Sequence, residues 1–289
     1  MDKRALIIGS AGMAGHMIYT FLKENGVEVC GIDVRPNDFS VDQVLDTVDF
    51  PTLREFLSQH VFDCVVNCAA ILGKPMLDQP VLARRVNVEL PHELVSILAP
   101  KRARLFHISS DFVFSGDRPG GGYSELDVKD NATPYGLYKR EGEVDAPNAA
   151  NLRLSIIGPT PQRIVPNFLN NVIASSNDSL WGLTNAYWTG ITTLELAKTL
   201  LGLIDLERIA PIYHLCSQEK ETRYQTIRNI MDAFGINLPL EARMGEPKDY
   251  SLISTTFPCR KPLAEQLTEL RQWMLQHPDL YGGYSCLTE

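Results

Sequence analysis

The sequence predicts an α/β fold in which a doubly wound parallel sheet is followed by a smaller C-terminal α/β lobe. Short apolar segments alternate with amphipathic ones, a pattern typical of β-α-β units with right-handed crossovers. A glycine-rich turn joins the first apolar segment to the first amphipathic one. The alternation loosens after Gly158. We therefore predict a first domain over residues 1–158 and a second lobe over residues 159–289, with local returns of the chain to the first domain.

The predicted strands of the first domain are short apolar runs, which suit buried parallel strands. In chain order they are "ALIIG", "VEVCGIDV", "CVVNCAA", "RLFHISSD" and "LRLSIIG". Helical periodicity lies between them. It predicts a helix in "MAGHMIYTFLKENG", a helix from Asp49-Phe50-Pro51 to Leu57, a helix from Leu82 to Leu98 kinked at Pro91, and a helix from Tyr135. Residues 115–134 are rich in Gly, Pro and Asp and predict a loop.

The second lobe is predicted to be largely helical. Its helical segments are "PNFLNNVIASS", "TTLELAKTLLGLIDL", "TRYQTIRNIMDAFG" and "PLAEQLTELRQWML", and "PIYHLCS" predicts a strand. We find no internal repeat and no low-complexity linker, which favours a lobe packed on the first domain.

Composition excludes several functional classes. The net charge of −8 without a basic block argues against a nucleic-acid partner. No apolar run approaches the length of a membrane span, and the sequence breaks to glycine too early for a signal peptide. The six cysteines form no CxxC pair, which favours free thiols in a reducing compartment over metal binding or disulfides. The cytoplasm is the expected location, and no metal site is predicted.

The turn "GSAGMAG" predicts a phosphate-binding loop of the Rossmann type. Gly9, Gly12 and Gly15 stand between a strand and a helix, where glycine permits a tight turn and close approach to a pyrophosphate. Asp33 follows at the end of the second strand, placed to accept hydrogen bonds from a ribose diol. Its carboxylate favours NAD, whereas Arg35 would accommodate NADP. The sequence indicates NAD(H) or NADP(H), with a lean to NAD.

Tyr135 and Lys139 lie one helical turn apart and so share a helix face. A tyrosine hydroxyl has a pKa of about 10 and needs a nearby cation to lower that value if it is to act as an acid–base group. Ser109 and Ser110 end the fourth strand, at the sheet edge where ligands bind in such folds. This set predicts an active site, although a tyrosine and a lysine at this spacing also occur on ordinary solvated helices.

These motifs carry a family resemblance. The chain resembles the extended short-chain dehydrogenase/reductases and, among them, the dTDP-4-dehydrorhamnose reductase family of sugar-nucleotide 4-ketoreductases. The matching stretches include "GSAGMAG", "VVNCAA", "VNVELPHELV", "HISSDFVFSG", "YGLYKREGEV" and "TNAYWTGITTLELAK". The resemblance implies NAD(P)H-dependent reduction of a nucleotide-activated deoxy sugar in surface-polysaccharide biosynthesis, without nucleic-acid or membrane partners. It allows a homodimer.

The resemblance also implies roles for individual residues. Ser110, Tyr135 and Lys139 are expected to be catalytic. The expected cofactor-binding residues are Gly9, Ser10, Gly12, Met13, Asp33, Arg35, Asp46, Thr47, Cys68, Ala69, Ala70, Tyr135 and Lys139. Ser110 stands where the family often has threonine, which keeps the hydroxyl. Cys68 stands where a smaller residue is usual.

Three residues are expected to bind the sugar nucleotide, each with a plain alternative. Asn185 and Trp188 in "WGLTNAYWTG" could stack on a ring and bind its polar edge, or pack the core of the lobe. Arg153, like Arg163, could face a diphosphate, or could form a structural ion pair. Asn87 could hold the active-site region together, or be a solvated helix residue.

Two other functions stay open at this point. A sugar-nucleotide epimerase or dehydratase can use the same scaffold, although a dehydratase usually needs a glutamate beside the catalytic hydroxyl and Asp111-Phe112 stands here. A non-catalytic NAD(P)-binding regulatory subunit is the second alternative. The complete Ser110, Tyr135 and Lys139 set argues against it.

Overall fold

The computed structural model describes residues 3–162, 165–257 and 261–287, so Arg163 and Cys259 lie outside the described residues. The strands are β1 Arg4–Ile8, β2 Glu28–Asp33, β3 Gln43–Val44, β4 Cys64–Asn67, β5 Arg104–Ile108, β6 Ala149–Arg153, β7 Ile156–Ile157, β8 Leu180–Leu183, β9 Ala186–Trp188, β10 Ile191–Thr192, β11 Ile212–His214, β12 Glu221–Thr222, β13 Leu240–Arg243 and β14 Lys248–Asp249.

The α-helices are α1 Met13–Glu24, α2 Phe50–Gln59, α3 Gly73–Asp78, α4 Pro80–Arg84, α5 Leu90–Leu98, α6 Pro134–Gly142, α7 Asn170–Ile173, α8 Thr193–Asp205, α9 Arg223–Phe234, α10 Leu263–Gln276 and α11 Pro278–Tyr281. A π-helical turn spans Arg85–Glu89, and 3₁₀ turns span Asp111–Val113 and Ser285–Leu287.

The chain forms two compact units that interleave along the sequence. Unit 1 comprises Met1–Val113, Lys129–Arg153 and Ala197–Tyr213; unit 2 comprises Phe114–Val128, Leu154–Leu196 and His214–Glu289. Neither unit corresponds to a single cut at residue 158. The division of cofactor and substrate binding between residues 1–158 and 159–289 stays a prediction.

A seven-stranded sheet has the strand order β11-β6-β5-β4-β1-β2-β3. The pairs β1–β2, β1–β4, β2–β3, β4–β5 and β5–β6 are parallel. This confirms the predicted doubly wound α/β fold. The strand order reverses between β1 and β4, and the carboxyl ends of these strands form the crevice where such sheets bind ligands.

The core of unit 1 follows from the apolar runs. Leu6 and Ile8 of β1, Val65 of β4 and Leu105 of β5 are fully buried and belong to one hydrophobic cluster. Leu53, Phe56 and Leu57 of α2 and Leu90, Leu94 and Leu98 of α5 complete it from the helices. Burial of such side chains stabilises the fold by about 1.5–3 kcal/mol each.

The helix expected from Leu82 to Leu98 is divided into α4, the π-helical turn and α5. Pro91 has no N–H to donate to the carbonyl of Asn87, so the regular ladder cannot continue there. The chain instead widens into the π-helical turn. Gly142 of α6 packs on this bulge, because a Cβ at Gly142 would lie 2.1 Å from the Asn87 carbonyl oxygen.

Unit 2 holds three small sheets. They are β10-β7, β12-β9-β14 and β13-β8. The helix expected over "PNFLNNVIASS" is reduced to the four residues of α7. By contrast, α9 is as predicted. A capping box between Thr222 and Gln225 begins it, and Gly235, at φ 70°, ends it in the left-handed conformation. "LRLSIIG" forms two strands, β6 and β7, where one was predicted.

Candidate functional site

The glycine-rich turn is built by close backbone contact. Gly9 has φ +77°, and a Cβ there would lie 2.8 Å from the backbone nitrogen of Ala69. A Cβ on Gly15 would lie 2.2 Å from the Gly9 carbonyl oxygen, so α1 can approach the turn only with glycine at this position. Gly12 is the N-cap residue of α1 and provides no side-chain cap. The helix N-terminus therefore presents N–H donors and a partial positive charge, which suits a pyrophosphate.

Asp33 joins the turn to the end of β2. It is 5% exposed, and its Oδ2 accepts a hydrogen bond from the backbone N–H of Ala11 at 3.1 Å. Its Oδ1 accepts from the backbone N–H of Arg35 at 2.9 Å and pairs with the Arg35 Nε at 3.2 Å. The Arg35 side chain is 67% exposed. The carboxylate thus serves the turn itself, and Arg35 partly neutralises its charge.

The other predicted cofactor residues lie at or just beyond the carboxyl ends of neighbouring strands. The Cys68 N–H donates to the Ile8 carbonyl at 2.9 Å, which carries the chain from β4 past β1. Cys68 and Ala69 are half-buried, and Ala70 is exposed. Thr47 is buried, while the exposed Asp46 accepts a hydrogen bond from the Val48 N–H at 3.1 Å. Ser10 and Met13 flank the turn; Ser10 is buried.

Local sequence explains why α6 begins at Pro134. The Thr133 side chain caps the helix by accepting from the Gly136 N–H, and Pro134 occupies a first-turn position. The buried Asn131 accepts from the N–H and hydroxyl of Thr133. A Cβ at Gly136 would lie 2.4 Å from Asn131 Cγ, so only glycine fits directly after Tyr135.

Ser110, Tyr135 and Lys139 lie close together in unit 1. The hydroxyls of Ser110 and Tyr135 are hydrogen-bonded. Ser110 Oγ also donates to Asp111 Oδ1 and accepts from the Phe112 N–H, both at 3.1 Å. Lys139 is 3% exposed, and its Nζ donates to the Ile108 carbonyl at 2.9 Å. The end of β5 therefore meets one face of α6 at this point.

Two pKa values in this cluster are strongly perturbed. Burial raises the pKa of Tyr135 to about 12, which the Ser110 hydrogen bond opposes and the Asp111 charge reinforces. Burial lowers the pKa of Lys139 to about 8, opposed mainly by Glu143. The expected lowering of the Tyr135 pKa by Lys139 is not seen, because burial dominates and Lys139 is directed to the Ile108 carbonyl. A protonated tyrosine suits a proton donor rather than a base.

Asn87 is buried within the π-helical turn. Its Oδ1 accepts from the Ile71 N–H at 3.0 Å, and its Nδ2 donates to the Ile71 carbonyl at 2.8 Å. This reciprocal pair fixes the segment that follows Cys68, Ala69 and Ala70. The structure therefore favours a positioning role for Asn87 over a solvated helix residue.

The three expected substrate-binding residues are all engaged within their own unit. Arg153 is 2% exposed and forms a bidentate pair with Glu143, at 2.7 Å and 2.9 Å. Trp188 is 1% exposed and its indole N–H donates to Thr226 Oγ1 at 2.7 Å. Asn185 exchanges two hydrogen bonds with the backbone of Gly245. Arg153 and Trp188 are buried and paired, which favours their structural alternatives. Asn185 is only half-buried, but both ends of its amide are engaged by the backbone of Gly245, which favours a structural role for it as well.

A different set of side chains in unit 2 surrounds a cavity of about 650 Å³. Its lining includes Phe168, Ser179, Trp181, Gly182 and Arg223. Trp181 is 51% exposed, and the Arg243 guanidinium lies 4.8 Å from its ring centroid. Trp181 is the first residue of "WGLTNAYWTG", in which Trp188 was expected to bind the ligand. The strands β8 and β9 have only four and three residues, too few for alternation in the sequence to separate the exposed tryptophan from the buried one.

Neither a metal centre nor a membrane span is found among residues 3–162, 165–257 and 261–287. No group of three or more His, Cys, Asp or Glu side chains there is arranged to hold a metal ion. No helix in those ranges is long and apolar enough to cross a membrane.

Comparison with known proteins bears on the family and the fold. The model of the RmlD substrate binding domain family matches residues 3–245. The methionine adenosyltransferase 2 subunit beta of Xenopus tropicalis is 30% identical over 252 residues, which cover 82% of this chain and 73% of that protein. The probable low-salt glycan biosynthesis reductase Agl14 of Haloferax volcanii is 28% identical over 244 residues, 80% of each chain.

A crystal structure of a dTDP-4-dehydrorhamnose reductase from Clostridium acetobutylicum superposes with a TM-score of 0.81 at 25% identity. The match covers 94% of this chain and 99% of that one. These findings confirm the resemblance inferred from the sequence motifs. The chain belongs to the RmlD substrate binding domain family, whose model spans most of its length.

Proposed function

We propose that this protein is an NAD(P)H-dependent reductase of the 4-keto group of a nucleotide-activated deoxy sugar. One observation carries the proposal: the Ser110 and Tyr135 hydroxyls are hydrogen-bonded beside the buried ammonium of Lys139. Membership of a family that includes sugar-nucleotide reductases supports the substrate class.

The residues around the glycine-rich turn fit a nicotinamide dinucleotide. The turn formed by Gly9, Gly12 and Gly15 leaves a cradle that a Cβ would fill, next to the N-terminus of α1. When bound there, the cofactor would supply the hydride. With NAD, Asp33 would accept a hydrogen bond from the adenosine ribose, and the Arg35 side chain would move away from the carboxylate. With NADP, Arg35 would turn towards the 2′-phosphate. The pairing of these two residues makes both cofactors compatible with the site, with the lean to NAD retained as a proposal.

The protein side chains have separate tasks in the proposed reaction. Ser110 polarises the keto oxygen by donating a hydrogen bond to it. Tyr135 gives its proton to the same oxygen as the carbon accepts the hydride, and its raised pKa keeps that proton in place at neutral pH. Lys139, whose ammonium donates to the Ile108 carbonyl at the end of β5, would bind the nicotinamide ribose.

For the nucleotide part of the substrate we propose the cavity lined by Phe168, Trp181 and Arg223. An exposed indole can stack on a nucleobase, and a guanidinium can pair with a phosphate. This proposal replaces the earlier expectation for Asn185, Trp188 and Arg153.

A subunit role is the second candidate function. It is favoured by the relative from Xenopus tropicalis, which is the beta subunit of methionine adenosyltransferase 2. Cofactor turnover separates the candidates. The protein is incubated with NADH or NADPH and a panel of 4-keto-6-deoxy sugar nucleotides, and absorbance at the reduced-nicotinamide band is followed. Stoichiometric loss of reduced nicotinamide relative to sugar converted supports the reductase. Sugar conversion without net cofactor loss indicates an epimerase or dehydratase, and cofactor binding without reaction indicates a binding subunit.

A further inference from the structure

Glu143 is a buried carboxylate that the proposed reaction does not yet use. It caps the C-terminus of α6, one helical turn after Lys139, and its side chain is 4% exposed. Ser109 Oγ donates to its Oε1 at 2.7 Å, and Lys129 Nζ donates to its Oε2 at 2.9 Å. The bidentate pair with Arg153 adds two more hydrogen bonds. Four donors thus hold this one carboxylate in a fixed position.

These contacts join the two elements that carry the proposed catalytic groups. Ser109 directly follows β5 and precedes Ser110, while Arg153 ends β6. Lys139 lies on α6 and donates to the carbonyl of Ile108, the last residue of β5. Glu143 therefore ties α6 to the strand end at which Ser110 is placed. A shift of its carboxylate would change the separation between Ser110 and the α6 side chains.

The charges around Lys139 give Glu143 a second effect. Several titratable or charged groups lie near Lys139 or its partners. Those on or after the neighbouring strands are Cys68 after β4, His107 on β5, Asp111 after β5 and Arg153 on β6. Those on or beside helices are His92 on α5, Lys129 before α6, and Tyr135 and Glu143 of the α6 segment. Burial lowers the pKa of His107 to about 3 and raises that of Cys68, so both are neutral at pH 7. Asp111 bears on Tyr135, which leaves Glu143 as the main anion acting on Lys139.

We propose that Glu143 is a positioning residue, whose carboxylate fixes α6 against β5 and stands one helical turn from Lys139 as its counter-charge. Ser109, Lys129 and Arg153 hold the carboxylate where it can act. The catalytic consequence rests on the proposed function, but the effect on Lys139 does not and can be measured without any substrate.

The test is a direct titration of Lys139 by NMR. The full chain is labelled with ¹³C at the lysine ε-carbon, and the Lys139 signal is assigned by its loss in Lys139→Met. Glu143→Gln keeps the shape and an acceptor oxygen but removes the charge. We expect it to lower the pKa of Lys139 by about 1–3 units, the usual effect of an adjacent opposite charge. Glu143→Asp keeps the charge and should lower the pKa of Lys139 less than Glu143→Gln does. An unchanged Lys139 pKa in Glu143→Gln overturns the proposal.

A second variant keeps the proposal testable if Glu143→Gln does not fold. Lys129 is partly exposed, with 30% of its side chain accessible, so Lys129→Met should be tolerated. It removes a cation that shares the Glu143 carboxylate and should therefore raise the pKa of Lys139. A lowered or unchanged value would overturn the proposal.

Activity then separates this inference from the proposed function. In an active enzyme, Glu143→Gln should move the alkaline limb of the kcat/KM profile to lower pH, which a purely structural role would not do. If wild type shows no turnover while Glu143→Gln shifts the pKa of Lys139, the reductase function is refuted and the role of Glu143 is retained. If wild type turns over and Glu143→Gln leaves the pKa of Lys139 unshifted, only the role of Glu143 is refuted.

Discussion

Replacing Lys139 by Met should stabilise the protein at neutral pH while it abolishes turnover. Burial lowers the pKa of Lys139 from 10.5 to about 8. At 1.36 kcal/mol per pKa unit, keeping the ammonium buried below pH 8 costs about 3 kcal/mol of folding free energy. Met removes that cost but also loses the hydrogen bond to the Ile108 carbonyl, worth about 1 kcal/mol. We therefore expect a net gain of about 2 kcal/mol at pH 7.

The sign of the pH dependence follows from linkage. Between pH 8 and 10.5 the unfolded wild-type chain holds a proton on this lysine that the folded chain has released. Wild-type stability therefore rises over this interval, and the variant has no such rise from this position. The advantage of Lys139→Met should shrink and then disappear as the pH approaches 10.5.

Urea denaturation of wild type and variant at pH 7 and near pH 10 measures both effects. Lys74→Met is the matched control, because the Lys74 side chain is 81% exposed and its replacement should change stability little at either pH. A variant less stable than wild type at pH 7 would refute the reasoning. So would a difference of the same size at both pH values.

Three further predictions concern catalysis, cofactor and substrate. Tyr135→Phe should lower kcat by about 10²–10⁴-fold with unchanged cofactor affinity, and kcat within a few-fold of wild type would remove Tyr135 from proton transfer. Asp33→Asn should raise the KM for NADH more than for NADPH, and Arg35→Ala should do the reverse; parallel changes would argue against contact with the ribose. Trp188→Ala should lower the free energy of unfolding by about 3–5 kcal/mol, whereas Trp181→Ala should raise the sugar-nucleotide KM at an unchanged melting temperature. The opposite pattern would restore Trp188 as the ligand-binding residue.

The α/β fold could be predicted because buried parallel strands leave a strong local signal. The runs around Leu6, Val65 and Leu105 are apolar on both faces, and helical periodicity fills the intervals between them. Polar residues at strand ends, such as Ser110, could likewise be placed at the ligand edge from the topology alone. The helix bearing Tyr135 and Lys139 was marked by spacing, and its cap at Thr133 agrees with that reading.

The roles of the two tryptophans and of Arg153, and the small sheets of unit 2, depend on contacts between residues that are not neighbours in the sequence. Whether Trp188 or Trp181 faces solvent is decided by pairing with Thr226 and Arg243, each more than thirty positions away. The choice between a diphosphate contact and a structural ion pair for Arg153 is decided by Glu143, which lies ten residues earlier at the end of another element. The strands β8, β9, β13 and β14 are only two to four residues long, too short for a periodic pattern to reveal.

The central claim, hydride transfer by this chain, is tested most directly with a deuterated cofactor. NADH or NADPH carrying deuterium at the transferable C4 position is mixed with a 4-keto-6-deoxy sugar nucleotide and the protein, and the product is analysed by mass spectrometry and NMR. The account predicts one deuterium at C4 of each product sugar, one oxidised cofactor per sugar, and incorporation about 10²–10⁴-fold slower with Tyr135→Phe. Cofactor that stays bound and reduced while every sugar in the panel is unchanged would contradict it.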